Sequence, residues 1–328
     1  MSISRRNFIT NLLKIGAGAI ATSTLGLLAA CTGRNDRDIE LENPEPVEQT
    51  RSLPLPSPKD KPYISVVHGE DPNLSVKAAI DSLGGIDRFV KKGNDVIIKP
   101  NICNTNHGYE YAATTNPDVV AAIVTLCLDA GAERVRVMDQ PFGGTGERGY
   151  EISGIGDAVK AVGGEIEVMS PMKFRKFEIP DGIDIKNWPV YTDCLETDVL
   201  INVPIAKHHA LARLTLGMKN LMGIIGNRTQ FHFNLGQRIA DLTSLVHPQL
   251  TVIDAIRILK NHGPTGGDLA DVEQKNMIIA SHDMVAADSF ATRMFGLTPG
   301  DIPALRCAET MCLGVTDLTT VEVEEISV

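Results

Sequence analysis

The sequence predicts an α/β layered fold, a largely parallel or mixed sheet flanked by helices, in one body or two lobes. Three observations carry this. Short β-branched runs alternate with helical stretches from about residue 63 onward. The run Asp198–Val203 is almost wholly apolar, as a strand covered on both faces must be. No internal repeat interrupts the pattern, and 43% hydrophobic residues is ordinary for a globular core.

Before that domain come an address and a tether. Ser4-Arg5-Arg6-Asn7-Phe8-Ile9 matches the twin-arginine export pattern, with Arg5 and Arg6 as its signal residues. A Gly/Ala-rich apolar segment from Ile15 to Ala30 follows, short for a membrane span. It ends in Leu28-Ala29-Ala30-Cys31, which resembles the lipobox of bacterial lipoproteins and marks Cys31 for lipidation. Residues 1–31 are therefore expected to meet the twin-arginine translocase and to leave a lipid anchor. The anchor places the protein outside the cytoplasmic membrane, on its outer side or in the periplasm or outer membrane. Twin-arginine substrates cross already folded, which leaves room for a metal or cofactor loaded beforehand. Residues 32–62, with six prolines and little apolar content, read as a disordered tether.

Within 63–328 the elements follow in order. Ile64–His68 is a strand, Leu74–Leu83 a helix, and Asp95–Ile98 a strand ending in Lys99-Pro100-Asn101. Pro117 opens a helix that Gly131 closes. Arg134–Met138 is a strand ending in Asp139, and a helix over Gly156–Val162 precedes a strand at Glu165–Met169. Residues 171–195 are irregular, with short strands near Phe174–Ile179 and Trp188–Tyr191. A helix at Leu235–Val246 and a strand at Leu250–Ile253, ending in Asp254, come after Asp198–Val203. A strand at Met277–Ala280, helices at Met284–Phe295 and Pro303–Met311, and a strand at Thr319–Ile326 complete the chain.

Net charge is −10, and −13 once residues 1–30 are set aside, which argues against nucleic acid or an anionic membrane surface as a broad partner. One stretch runs the other way. Val199 to Ala240 contains no Asp or Glu, where the chain's average predicts about five. It carries Lys207, Arg213, Lys219, Arg228 and Arg238 with His208, His209 and His232. A cationic island in an acidic protein points to a small anionic ligand.

In open α/β sheets ligands lie beyond the carboxyl ends of the strands. Those ends here carry Lys99, Asn101, Asp139, Asn202, Lys207, His208, Asp254 and Ser281 to Asp283. A helix over Leu214–Ile225 would place Leu214, Met218, Leu221 and Ile225 in the core. It would set Thr215, Lys219, Gly223 and Gly226 on another face. His208 and His209 are adjacent, so in an extended segment only one can serve a given site. No metal motif is present, and a metal would have to gather His107, His208, Asp139 or Asp254 from afar. The cysteines have no iron–sulfur spacing; buried free thiols are the favoured reading, with Cys307 and Cys312 the nearest pair for a disulfide. Gly144-Thr145-Gly146-Glu147-Arg148-Gly149 matches G-x-G-x-x-G, but five residues separate it from the preceding strand. A nicotinamide or flavin site is disfavoured on that ground, and the stretch reads instead as a surface loop, or as a flexible one that closes over an anionic ligand.

These landmarks together resemble one family. They are Lys99-Pro100-Asn101, Asp139, Asn202 through His209, Gly217 through Gly223, Asp254 with Gly263-Pro264, and Asp283 through Asp288. The family is number 362 in the series of domains of unknown function, and the likeness covers about 63–328. Some members carry ferredoxin-type cysteines, which this chain lacks. The resemblance implies a domain and no settled reaction; a remoter likeness links it to the nickel-dependent lactate racemases, also α/β with Lys and His at the cofactor. The expectation is a lipid-anchored protein binding a small carboxylate or phosphate. Lys207, His208, Asp139 and Asp254 are its candidate reactive groups, and Lys99, Asn101, Asn202, Lys219 and Asn220 its ligand holders. The alternatives are a non-catalytic envelope binding or docking protein and a metal-dependent enzyme.

Overall fold

Period-two patterning with apolar residues on both phases needs a cover on each face, and the chain supplies one. The computed structural model describes residues 63–328; the export signal, Cys31 and the tether lie outside the described residues. In chain order the strands are β1 Ile64–His68, β2 Asp95–Pro100, β3 Arg134–Val137, β4 Glu165–Ile166, β5 Phe174–Glu178 and β6 Asn187–Tyr191. They continue as β7 Val199–Val203, β8 Ile205–His209, β9 Arg213–Thr215, β10 Leu250–Leu259, β11 Val272–Ser281 and β12 Val323–Ser327. The helices are α1 Pro72–Ser82, α2 Pro117–Asp129, α3 Gly146–Ser153, α4 Ile155–Ala161, α5 Asp193–Glu196 and α6 Gly217–Asn220. After them come α7 Arg228–Phe231, α8 Leu235–Leu245, α9 Met284–Ala291 and α10 Pro303–Thr310.

The main sheet runs β12-β1-β11-β10-β7-β2-β3-β4, with β8 joined to β10 and β9 to β8. Strands β10, β7, β2, β3 and β4 are mutually parallel, and β11 is antiparallel to both its neighbours. The fold is thus α/β with a mixed sheet, as the alternation predicted. Ile97, Leu200, Ile253 and Ile279 face one layer with Leu242 of α8, Phe290 of α9 and Leu305 of α10. Ile98, Ile201, Val252 and Ile278, each one residue away, face the other with Ile80 of α1, Ile123 of α2 and Val159 of α4. One continuous sheet serves both layers.

Caps confirm how the helices start. Asn116 accepts the Asp118 N–H at 3.0 Å with Pro117 in the first turn of α2, and Asp283 accepts the Ala286 N–H at 2.9 Å to open α9. The irregular stretch 171–195 contains the hairpin β5–β6.

The structure corrects the sequence in three places. The helix expected over Leu214–Ile225 is the strand β9, the single turn α6 and a 3₁₀ turn at Leu221–Ile224. Its apolar members are still core: Leu214, Met218, Leu221 and Ile225 are all buried. Strand β10 does not stop at Asp254 but continues to Leu259. The G-x-G-x-x-G stretch opens a helix: Thr145 accepts the Arg148 N–H at 3.3 Å as the cap of α3. Cys307 and Cys312 do not form a disulfide.

Candidate functional site

Because β3, β2 and β7 are parallel neighbours, their carboxyl ends share one edge, and Lys99 of β2 lies opposite Asn202 of β7. Lys99 is 0% exposed. Its ammonium donates to Asp139 Oδ1 at 2.7 Å, to the Pro100 carbonyl at 2.7 Å and to Asn220 Oδ1 at 3.1 Å. A lysine has three N–H donors, and all three are taken. The other oxygen of Asp139 accepts the Ile102 N–H at 2.6 Å. Burial pulls the Lys99 amine below its ordinary value, and the adjacent Asp139 carboxylate opposes that. A Cβ at position 223 would occupy the space of Asp139 Oδ1 and Lys99 Nζ, so only glycine fits over this pair.

Asparagines tie the pair to the next element. Asn220 Nδ2 donates to Asn202 Oδ1 at 2.8 Å, and Asn220 Oδ1 accepts from Asn101 Nδ2 at 2.8 Å. Asn202 Nδ2 donates to the Gly217 carbonyl at 2.9 Å. The carboxylate of Asp288, from α9, accepts the N–H groups of Gly217 at 2.6 Å and Met218 at 2.8 Å. Burial pushes Asp288 up to about 7 against the pull of those amides. A single helical turn has little stability of its own, so these side chains are what hold Lys219 and Asn220 in place.

Lys207 is the second buried lysine, 1% exposed. It sits on β8, where pairing with β9 sets Lys207 opposite Thr215, His208 opposite Leu214 and His209 opposite Arg213. Alternation therefore puts Lys207, His209 and Thr215 on one face and His208 on the other. The Lys207 ammonium donates to the Ala113 carbonyl at 2.6 Å and to Asn101 Oδ1 at 3.0 Å. Among the described residues its third N–H has no acceptor, and no carboxylate lies within ion-pairing distance of it.

These elements enclose a cleft of about 660 Å³ including its mouth. Ile102, Phe142, Met222 and Pro264 form apolar wall, while Lys207, Lys219, Arg228, His209 and His232 bring nitrogen to it. Asp139 is the one carboxylate among the lining residues, and Lys99 neutralises it from behind. The His209 ring accepts the Leu211 and Ala212 N–H groups on Nδ1, at 3.1 and 3.2 Å. Burial, and after it the charges of Lys219, Lys207, His232 and His208, hold its pKa well below the ordinary histidine value.

Of the residues singled out from the sequence, Asn101, Asp139, Lys207, Lys219 and Asn220 line this cleft together. Lys99 and Asn202 lie one layer behind them and orient others rather than face the cleft. His208 is not on the wall: its Nδ1 accepts the Gly263 N–H at 3.2 Å. Asp254 is also elsewhere. It is buried within β10, accepts the Asn116 N–H at 2.7 Å and the Ile256 N–H at 3.0 Å, and is pushed up to about 6 by burial. It holds α2 to the sheet. A polar residue after an apolar run read as a strand end, but here it is a buried acceptor inside a longer strand.

His107, His208, Asp139 and Asp254 do not gather, and the described residues contain no group of three or more His, Cys, Asp or Glu placed to hold a metal. The sequence passed over His209, and it placed Arg228 only among the cations of the acid-free window. Arg228 is buried, donating to Gln140 Oε1 at 3.0 Å and to the Gly223 carbonyl at 3.1 Å. Arg238 pairs with Asp184 near the surface.

Fold and cleft together define an α/β protein with a cation-lined pocket at the carboxyl edge of its parallel strands. The chain belongs to the family described as a domain of unknown function, DUF362, which it matches over residues 96–293. It is 28% identical to a thylakoid-associated protein of Synechocystis sp. over 253 residues, 74% of this chain and 75% of that protein. Among solved structures, the lactate racemase apoprotein of Thermoanaerobacterium thermosaccharolyticum aligns with a TM-score of 0.46 at 13% identity. That alignment covers 73% of this chain and 58% of the racemase. A Thermotoga maritima protein aligns with a TM-score of 0.43 at 12% identity, over 69% of this chain and 60% of that one.

Proposed function

We propose that this protein binds a small carboxylate or phosphate in the cleft, as an exported protein anchored to a membrane by lipid. One observation carries the binding half: Lys207 is buried, and among the described residues one of its N–H groups has no acceptor and no carboxylate balances its charge. A buried ammonium without a counterion costs several kcal/mol, which an anion entering the cleft offsets. Lys219 and Arg228 on the same walls add to the attraction. The apolar remainder of the wall suits an organic acid with a short carbon body.

Proton transfer has less support than binding. His209 presents a donor, His208 is off the wall, and Lys99 has no N–H left to give. Titration calorimetry with acetate, butyrate and inorganic phosphate tests binding. Wild type is expected to bind at least one of them, and Lys207→Met to bind it at least tenfold more weakly with unchanged circular dichroism. A folded Lys207→Met protein that binds all three as wild type does would defeat the proposal.

The anchoring half rests on Arg5-Arg6 and on Leu28-Ala29-Ala30-Cys31. The cyanobacterial relative's name, which associates it with thylakoids, agrees with a membrane-attached protein. Labelled fatty acid is expected to enter the wild-type chain and not Cys31→Ala; equal labelling of both would remove the anchor.

A further inference from the structure

His209 is adapted for something other than acid–base work. Two backbone amides, Leu211 and Ala212, point their protons at Nδ1, so that nitrogen must be bare. The neutral ring then carries its proton on Nε2. The ring is 2% exposed, lines the cleft, and sits two residues along the same strand face from Lys207. Among the described residues no acceptor is bonded to Nε2, whereas the other ring nitrogen is doubly engaged. The donor therefore opens on the cleft, where a bound ligand can supply its acceptor.

We propose that His209 is the second ligand-reading group of the cleft, donating Nε2–H to an uncharged oxygen of the same anion whose charge Lys207 balances. The ligand class is thereby narrowed to organic acids carrying a second oxygen acceptor, such as an ether, hydroxyl or carbonyl. The inference rests on the anion-binding function proposed above. Lys207 on β8, Lys219 on α6 and His232 after α7 share the cleft wall with the ring, His208 lies on the opposite face of β8, and the charge of each disfavours an imidazolium. The ring therefore keeps its donor role at neutral pH.

Methoxyacetate and butyrate make the test, because they differ only by an ether oxygen in place of a methylene. Wild type is expected to bind methoxyacetate about five- to tenfold more tightly than butyrate, the value of one hydrogen bond in a buried site. His209→Asn keeps an acceptor near the Nδ1 position for the two amides but cannot reach the Nε2 position. It is expected to melt as wild type does and to bind both acids equally. Nitrogen NMR of the wild-type protein at pH 7 should show a protonated Nε2 and a bare Nδ1. Equal binding of the two acids by wild type, retention of the preference in His209→Asn, or a protonated Nδ1 each overturns the inference while Lys207-dependent binding stands. Failure of wild type to bind either acid or phosphate overturns the anion site itself, and this inference with it. If His209→Asn unfolds, His209→Gln, which offers a terminal amide donor near the Nε2 position, should keep the preference; loss of it there overturns the proposal.

Discussion

Lys99 and Lys207 are two buried lysines on strands of one sheet, and they are finished in opposite ways. Lys99 has a carboxylate, a carbonyl and an amide oxygen, one for each N–H. Lys207 has a carbonyl and an amide oxygen, and its charge meets no carboxylate among the described residues. The first is a complete internal ion pair that shapes the floor of the site. The second lacks a carboxylate partner among the described residues, which is the basis of the anion binding proposed above. A charged residue's burial alone does not separate structure from function; the count of its satisfied donors does.

That contrast can be broken most sharply at Lys99. Lys99→Met leaves Asp139 buried without its ion-pair partner, and urea unfolding should show a loss of about 3–5 kcal/mol. A loss below about 1 kcal/mol would mean the pair is not the anchor described here. A smaller effect is expected at Gly223, where a methyl group would press on the same pair. Gly223→Ala should cost about 1–3 kcal/mol by the same measurement, the usual range for overpacking. Smallest is the stability effect of Lys207→Met, expected within about 1 kcal/mol of wild type, because removing an uncompensated charge offsets two lost hydrogen bonds. Should Lys207→Met instead cost as much as Lys99→Met, the two lysines would be alike and the contrast would dissolve.

Much of the candidate cleft was legible in the sequence, because strand ends and charge depletion are local features. Asn101, Asp139, Lys207, Lys219 and Asn220 were grouped by their position after strands and in the acid-free window, and they share one cleft. His208 was favoured over His209 because adjacent residues on a strand leave a two-way choice of face. That choice depends on how β8 pairs with β9, and no spacing in the sequence reveals it. Asp254 misled for a different reason. A carboxylate after four apolar residues looks like an end, and only the backbone amides of Asn116 and Ile256 explain how it stays inside.

The sequence by itself determined the layers: period-two runs with both phases apolar require helices on each face, whatever the strand order. It also located the cationic island, since charge composition is countable along the chain. Tertiary structure alone decided the partners. Asp139 reaches Lys99 across 40 residues and Asn220 across 121, and these meetings follow from which strands become neighbours. Local periodicity encodes which face a residue takes; only the sheet order encodes what it meets there.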